Sequence, residues 1–210
     1  MIQILERHRV IPVIAIEDVE AALPLADALL DGGLPIVEIT FRTAAAASAI
    51  RTLTERRPEL YVGAGTVLTA QNVEDAIAAG AKFGVAPGFN PDTADVAEEH
   101  DWPFIPGVCT PSEIEAALGC NYHIVKFFHA GLMGGVEMLK AFSGPYGHTG
   151  IRFMPTGGVT ESNLHEYLAV PTVIACGGTW IASKTDIAAG NWQLISDRCR
   201  RVTEIADTLR

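Results

Sequence analysis

Cysteine is scarce and scattered: four in 210 residues, at positions 109, 120, 176 and 199, with no CxxC pair. That spacing argues against a thiolate zinc site or a disulfide framework and suits a reducing compartment, so a cytoplasmic location is expected. No apolar run approaches the roughly 20 residues that a membrane helix needs. The first ten residues, MIQILERHRV, place charge where a secretory leader would be apolar, so no export signal is expected. Basic charge is also short. Fifteen Lys and Arg against 25 Asp and Glu leave a net charge of −10, which speaks against nucleic acid and anionic membrane as partners. The sequence offers no clustered ligand set for a metal, and GxGxxG is absent, so neither a metal nor a dinucleotide cofactor is expected.

What is present is a core. Hydrophobic residues make up 49% and charged residues 19%, the balance of a folded globular chain, and no composition break divides 1–210 into two domains. After a short leading helix over 2–9, strand and helix signals alternate about eight times. The strands fall at 10–16, 35–41, 60–64, 83–86, 102–105, 122–128, 151–154 and 171–175. They are continuous apolar runs, as expected when both faces are covered. Helix starts are marked by Thr69, by Asn90 or Asp92, by Thr110-Pro111 and by Thr160. A closing helix occupies 192–209. The expected fold is α/β: a single-domain (β/α)8 TIM barrel with a short N-terminal helix. A doubly wound open sheet is the alternative.

Most strands end, on the C-terminal side, in something other than core: Glu38 and Arg42, Thr66, Pro87, Thr110, Lys126, Thr156-Gly157-Gly158 and Gly177-Gly178-Thr179. In barrels the chemistry gathers on that face. Lys126 is set among Ile124, Val125, Phe127 and Phe128. It has two readings: a strand-end lysine that snorkels to water, or an amine kept dry enough to act as a nucleophile. Parity bears on the choice. Ile36, Glu38 and Thr40 share one face of their strand, and Tyr122, Ile124 and Lys126 share one face of theirs. The second and sixth strands of eight lie opposite each other. A glutamate and a lysine reaching inward from them can meet, directly or through one water. Such a pair is either a catalytic couple or an ion pair that fills the lumen. The glycine pairs at 157–158 and 177–178, each placed before an expected helix start, read as a phosphate cradle or as tight turns.

The motifs E-I-T-F-R-T at 38–43, G-A-G-T-V-L at 63–68, P-G-F at 87–89, V-K-F-F at 125–128 and P-T-G-G-V at 155–159 resemble those of the 2-keto-3-deoxy-6-phosphogluconate (KDPG) aldolases. I-P-V-I at 11–14 and G-G-T-W at 177–180 extend the resemblance over nearly the whole chain. It implies a class I lyase that cleaves KDPG to pyruvate and glyceraldehyde 3-phosphate, often with activity on 4-hydroxy-2-oxoglutarate (KHG). It implies a homotrimer of barrels, no metal, and a small keto-acid phosphate as the partner molecule. By the same resemblance Lys126 forms the Schiff base and Glu38 is the general acid and base. Arg42 and Thr66 hold the pyruvate carboxylate, and Pro87 lines that pocket. The amides of Gly157 and Gly158, with the hydroxyl of Thr179, hold the phosphate. Two departures stand out: Thr179 where serine is frequent, and His129 in a run, K-F-F-H, that is usually K-F-F-P. His129 is either a loop substitution without a role or a group that tunes the phosphate side or the rigidity of the loop. Rival readings are an aldolase for the 6-phosphogalactonate epimer and a non-catalytic phosphosugar-binding barrel.

Overall fold

Pro106 decides how the sheet closes. In the computed structural model, which describes residues 1–209, nine short parallel strands follow one another in space. In chain order they are β1 (Val10–Ile14), β2 (Ile36–Thr40), β3 (Tyr61–Gly65), β4 (Gly84–Val85), β5 (Phe104–Ile105), β6 (Gly107–Val108), β7 (Ile124–Phe128), β8 (Arg152–Thr156) and β9 (Cys176–Gly178). The spatial order is β5-β4-β3-β2-β1-β9-β8-β7-β6. Its two ends, β5 and β6, are consecutive in the chain and separated only by Pro106. Proline has no N–H to give to a ladder, so the regular pairing breaks there. Its carbonyl still accepts from the Lys126 N–H at 2.8 Å. β5 pairs with β4, and β6 pairs with β7 in the register Gly107↔Lys126. Residues 104–108 therefore serve one neighbour and then the other. The ring closes through them as an eight-staved (β/α)8 TIM barrel, and the open-sheet alternative falls away.

The helices between the strands start where local chemistry dictates. Thr69 accepts from the Asn72 N–H to open α4 (Ala70–Ala78). Asn90, rather than Asp92, caps α5 (Pro91–Glu99), with Pro91 at a position whose N–H would be unpaired anyway. Thr110 and Glu113 form a reciprocal capping box on α6 (Pro111–Gly119). The expected leading helix is present as α1 (Ile2–His8), and a long amphipathic α10 (Trp192–Asp207) closes the ring of helices outside the barrel. Among the described residues no helix is long and apolar enough to cross a membrane.

Two local expectations differ from what forms. The final stave is regular at β9 rather than at 171–175, where only Val173 bridges to Phe153. The reason is register: Val10, Ile11 and Pro12 find their partners at Cys176, Gly177 and Gly178. Thr160 does not cap a helix. α8 runs over Leu164–Leu168, and the Thr160 N–H instead donates to the Asn163 side chain at 2.8 Å.

α9 (Lys184–Ala188) is tied to α10 by Asp186. The Ser183 hydroxyl, the Arg198 guanidinium and the Asn191 amide all donate to its carboxylate, and they hold its pKa down from 3.8 to about 2. A depressed carboxylate stabilises the fold above its unfolded pKa and loses that contribution as pH falls through the folded one. Asp186→Asn is therefore expected to lower Tm at neutral pH, with the deficit shrinking between pH 3.8 and about 2. Scanning calorimetry of both proteins across that range checks it.

Candidate active site

β2 and β7 stand on opposite walls of the ring. Three strands, β1, β9 and β8, separate them on one side. Glu38 projects from the first and Lys126 from the second, and they meet: Lys126 Nζ donates to Glu38 Oε1 at 3.4 Å. Lys126 is 4% exposed and Glu38 0%, which rules out a lysine snorkelling to water. The amine also sits over the ring of Phe128, 5.4 Å from its centroid. The second carboxylate oxygen, Glu38 Oε2, is buried with no hydrogen-bond partner. A lumen-filling ion pair would be expected to satisfy its lone pairs, because a buried unpaired acceptor costs about 1–3 kcal/mol. An acceptor left open beside an amine is instead suited to a substrate hydroxyl.

Glycine makes the room. A Cβ on Gly65, at the end of β3, would stand 2.1 Å from Glu38 Oε1. The next residue, Thr66, has φ 55°, a strained conformation for a β-branched side chain. It is held there from both sides: Gly65 O accepts from the Phe41 N–H at 2.8 Å, and the Val67 N–H donates to Val85 O at 3.1 Å.

Arg42 continues the parity of Glu38 and Thr40. Its Nε donates to Thr40 Oγ1 at 3.0 Å, and that hydroxyl donates in turn to Ile14 O at 3.1 Å. The two Nη groups make no hydrogen bond among the described residues, and their fork suits a carboxylate. Pro87 follows β4, packed so closely on β6 that a Cβ on Gly107 would strike its carbonyl. An apolar cleft of about 220 Å³, lined by Val67, Leu68, Pro87, Gly88 and Phe89, opens beside it. A larger cleft, about 450 Å³, lies at the opposite end, where β5 and β7 begin, among Met1, Trp102, Phe104, Tyr122 and Ile124. It holds none of the candidate catalytic or substrate-binding residues.

The pairing Thr156↔Gly177 sets the two glycine loops side by side. Gly157 and Gly158 have φ 89° and 77°, conformations that favour glycine. Thr179 is exposed and makes no hydrogen bond among the described residues. No helix starts directly behind either loop, because α8 and α9 begin at Leu164 and Lys184. The expected helix N-termini are thus displaced from the glycines, and loop amides with the Thr179 hydroxyl remain as the donors. Among the described residues no group of three His, Cys, Asp or Glu could hold a metal ion.

Sequence reading missed three supporting residues: Gly65, Thr40 and Phe128. Thr40 and Phe128 were signalled by parity with Glu38 and Lys126. Gly65 carried no signal beyond being a glycine at a strand end.

A barrel whose lumen sets a buried amine against a carboxylate has the arrangement that a class I, Schiff-base aldolase uses. The comparisons agree. The family model described as KDPG and KHG aldolase matches residues 1–198. The 2-dehydro-3-deoxy-phosphogluconate aldolase of Treponema pallidum (strain Nichols) is 45% identical over 205 residues, covering 98% of this chain and 97% of its own. The Haemophilus influenzae protein of that name is also 45% identical, over 97% and 96%. Among solved structures, a KDPG aldolase from Legionella pneumophila has TM-score 0.92 and 41% identity, with 96% and 97% of the two chains covered. In it, pyruvate was captured at low pH as a covalent carbinolamine intermediate. The chain belongs to the KDPG and KHG aldolase family.

Gly65→Ala is expected to displace the Glu38 carboxyl and lower kcat by about 10²-fold, while far-UV circular dichroism stays native. Steady-state turnover checks it, and an unchanged kcat would mean that the Glu38 position is not critical.

Proposed function

We propose that the chain cleaves 2-dehydro-3-deoxy-6-phosphogluconate to pyruvate and glyceraldehyde 3-phosphate, and 4-hydroxy-2-oxoglutarate to pyruvate and glyoxylate. It works in the cytoplasm as a homotrimer. The observation that carries this reading is the buried Lys126–Glu38 contact at 3.4 Å.

The neutral Lys126 amine attacks the C2 ketone, and loss of water gives an iminium. The iminium draws electrons from the C3–C4 bond. As that bond breaks, Glu38 takes the C4 hydroxyl proton, directly or through one water, and the aldehyde leaves. Glu38 returns a proton to C3 of the remaining enamine, and hydrolysis frees pyruvate and the amine. Arg42 binds the pyruvate carboxylate with its two Nη groups, Thr66 adds a hydroxyl, and Pro87 closes the apolar side. The amides of Gly157 and Gly158 and the Thr179 hydroxyl take the phosphate. These local donors offset the repulsion that a net charge of −10 imposes on an anionic substrate.

Borohydride added with pyruvate is expected to fix the adduct on Lys126, read by peptide mass spectrometry, and Lys126→Ala to lose nearly all turnover. Labelling at Lys82, Lys140 or Lys184 would refute the assignment. Glu38→Gln is expected to slow turnover by roughly 10²–10⁴-fold while the trapped adduct still forms. A lactate-dehydrogenase-coupled assay with KDPG, its galactonate epimer and KHG side by side ranks the substrates.

A further inference from the structure

We infer that His129 is a phosphate-side binding and specificity residue of this site; the inference rests on the phosphate reading of the glycine loops above. Four observations lead to it.

The loop that follows β7 is laced to the loop that follows β8. The Ala130 N–H donates to Thr156 O at 2.9 Å and the Gly131 N–H to Gly157 O at 2.8 Å. These bonds carry the pairing of the two strands past their ends and fix the backbone around His129. The imidazole then lies on Gly157: a Cβ there would stand 2.6 Å from Cδ2 and 2.7 Å from Nε2. The ring edge thus occupies the space that any other residue at 157 would fill.

The electrostatic need is plain. The glycine loops have no helix N-terminus directly behind them, and the molecule as a whole is acidic. An imidazole in contact with Gly157 adds a donor to those of the loop amides and the Thr179 hydroxyl. Its Nδ1 is buried and unpartnered. Nε2 stands at the edge that faces Gly157, and with a proton there the ring donates toward the glycine loop.

The spacing fits a keto-acid phosphate. Phe128 neighbours both groups, with its ring centre 5.4 Å from Lys126 Nζ and 5.2 Å from the His129 ring centre. A chain joined to the amine at C2 carries its C6 phosphate four carbon–carbon bonds and an ester further on, roughly 7 Å away. A chain of that reach can run from the amine past Phe128 toward the imidazole. Nε2–H donates to a phosphate oxygen that the amides of Gly157 and Gly158 also bind.

The test compares His129→Leu and His129→Gln with the unaltered protein, using KDPG, KHG and inorganic phosphate as a competitive inhibitor. Loss of one hydrogen bond to a charged group is expected to raise the ratio of KM for KDPG to KM for KHG about 10-fold in the leucine variant. The Ki of inorganic phosphate rises by a similar factor, and glutamine, which keeps a donor, recovers part of both. An unchanged ratio and an unchanged Ki overturn the inference. Thr179→Val separates the two levels. If it weakens phosphate and His129→Leu does not, the inference falls and the phosphate reading stands; if neither does, both fall. Should the leucine variant not fold, ¹⁵N imidazole spectra of the unaltered protein decide: phosphate must shift the Nε2 resonance of His129, and an unmoved resonance overturns the assignment.

Discussion

Two ionisable groups face each other at 3.4 Å, both buried in the barrel lumen, and the rest of the molecule is arranged to permit it. Neither group would stay there alone. An isolated charge buried in a protein is costly enough that the group neutralises or finds a partner. The barrel supplies the partner geometrically, because strands on opposite walls project side chains of matching parity to one axis. The pair is left incompletely satisfied, with Glu38 Oε2 unpartnered. A pair kept only for stability would gain from apolar replacement; a pair kept for chemistry needs an acceptor still open when substrate arrives.

Much of the remaining site is made by missing side chains. Gly65 gives way to Glu38, Gly177 to Thr156, and Gly157 to the imidazole of His129. In each case a Cβ would stand within 2.6 Å of the neighbouring side chain. The glycines therefore do two jobs, turning the chain and yielding space, and the second sets which functional groups can approach each other. The strained Thr66 belongs to the same pattern: its backbone is over-determined by hydrogen bonds on both sides of it.

The legible parts of the fold were those with a local cause. Thr69, Thr110-Pro111 and the pair Asn90 and Asp92 announce helix starts, because capping needs only residues a few positions apart. Apolar strands announce burial on both faces. The break at Pro106 and the late start of β9 were not legible, since each depends on which distant segment lies alongside. Cys176 to Gly178 form the last strand because Val10 to Pro12 are opposite them, not because of their own character. Thr160 failed as a cap for a local reason: the Asn163 side chain takes its N–H, and its hydroxyl pairs with that of Ser162.

The sequence by itself determined the alternation that makes a barrel, the parity that turns Glu38 and Lys126 inward, and the motif order that resembles the aldolases. All three are written in near-neighbour spacing, which one dimension can carry. Tertiary structure alone decided that the carboxylate meets the amine, that the Thr40 hydroxyl reaches Ile14 O, and that His129 lies on Gly157. These are contacts between residues far apart in the chain or between loops, and their distances follow from ring closure and strand register. Only the closed ring fixes those quantities, because it leaves each wall one position relative to the others.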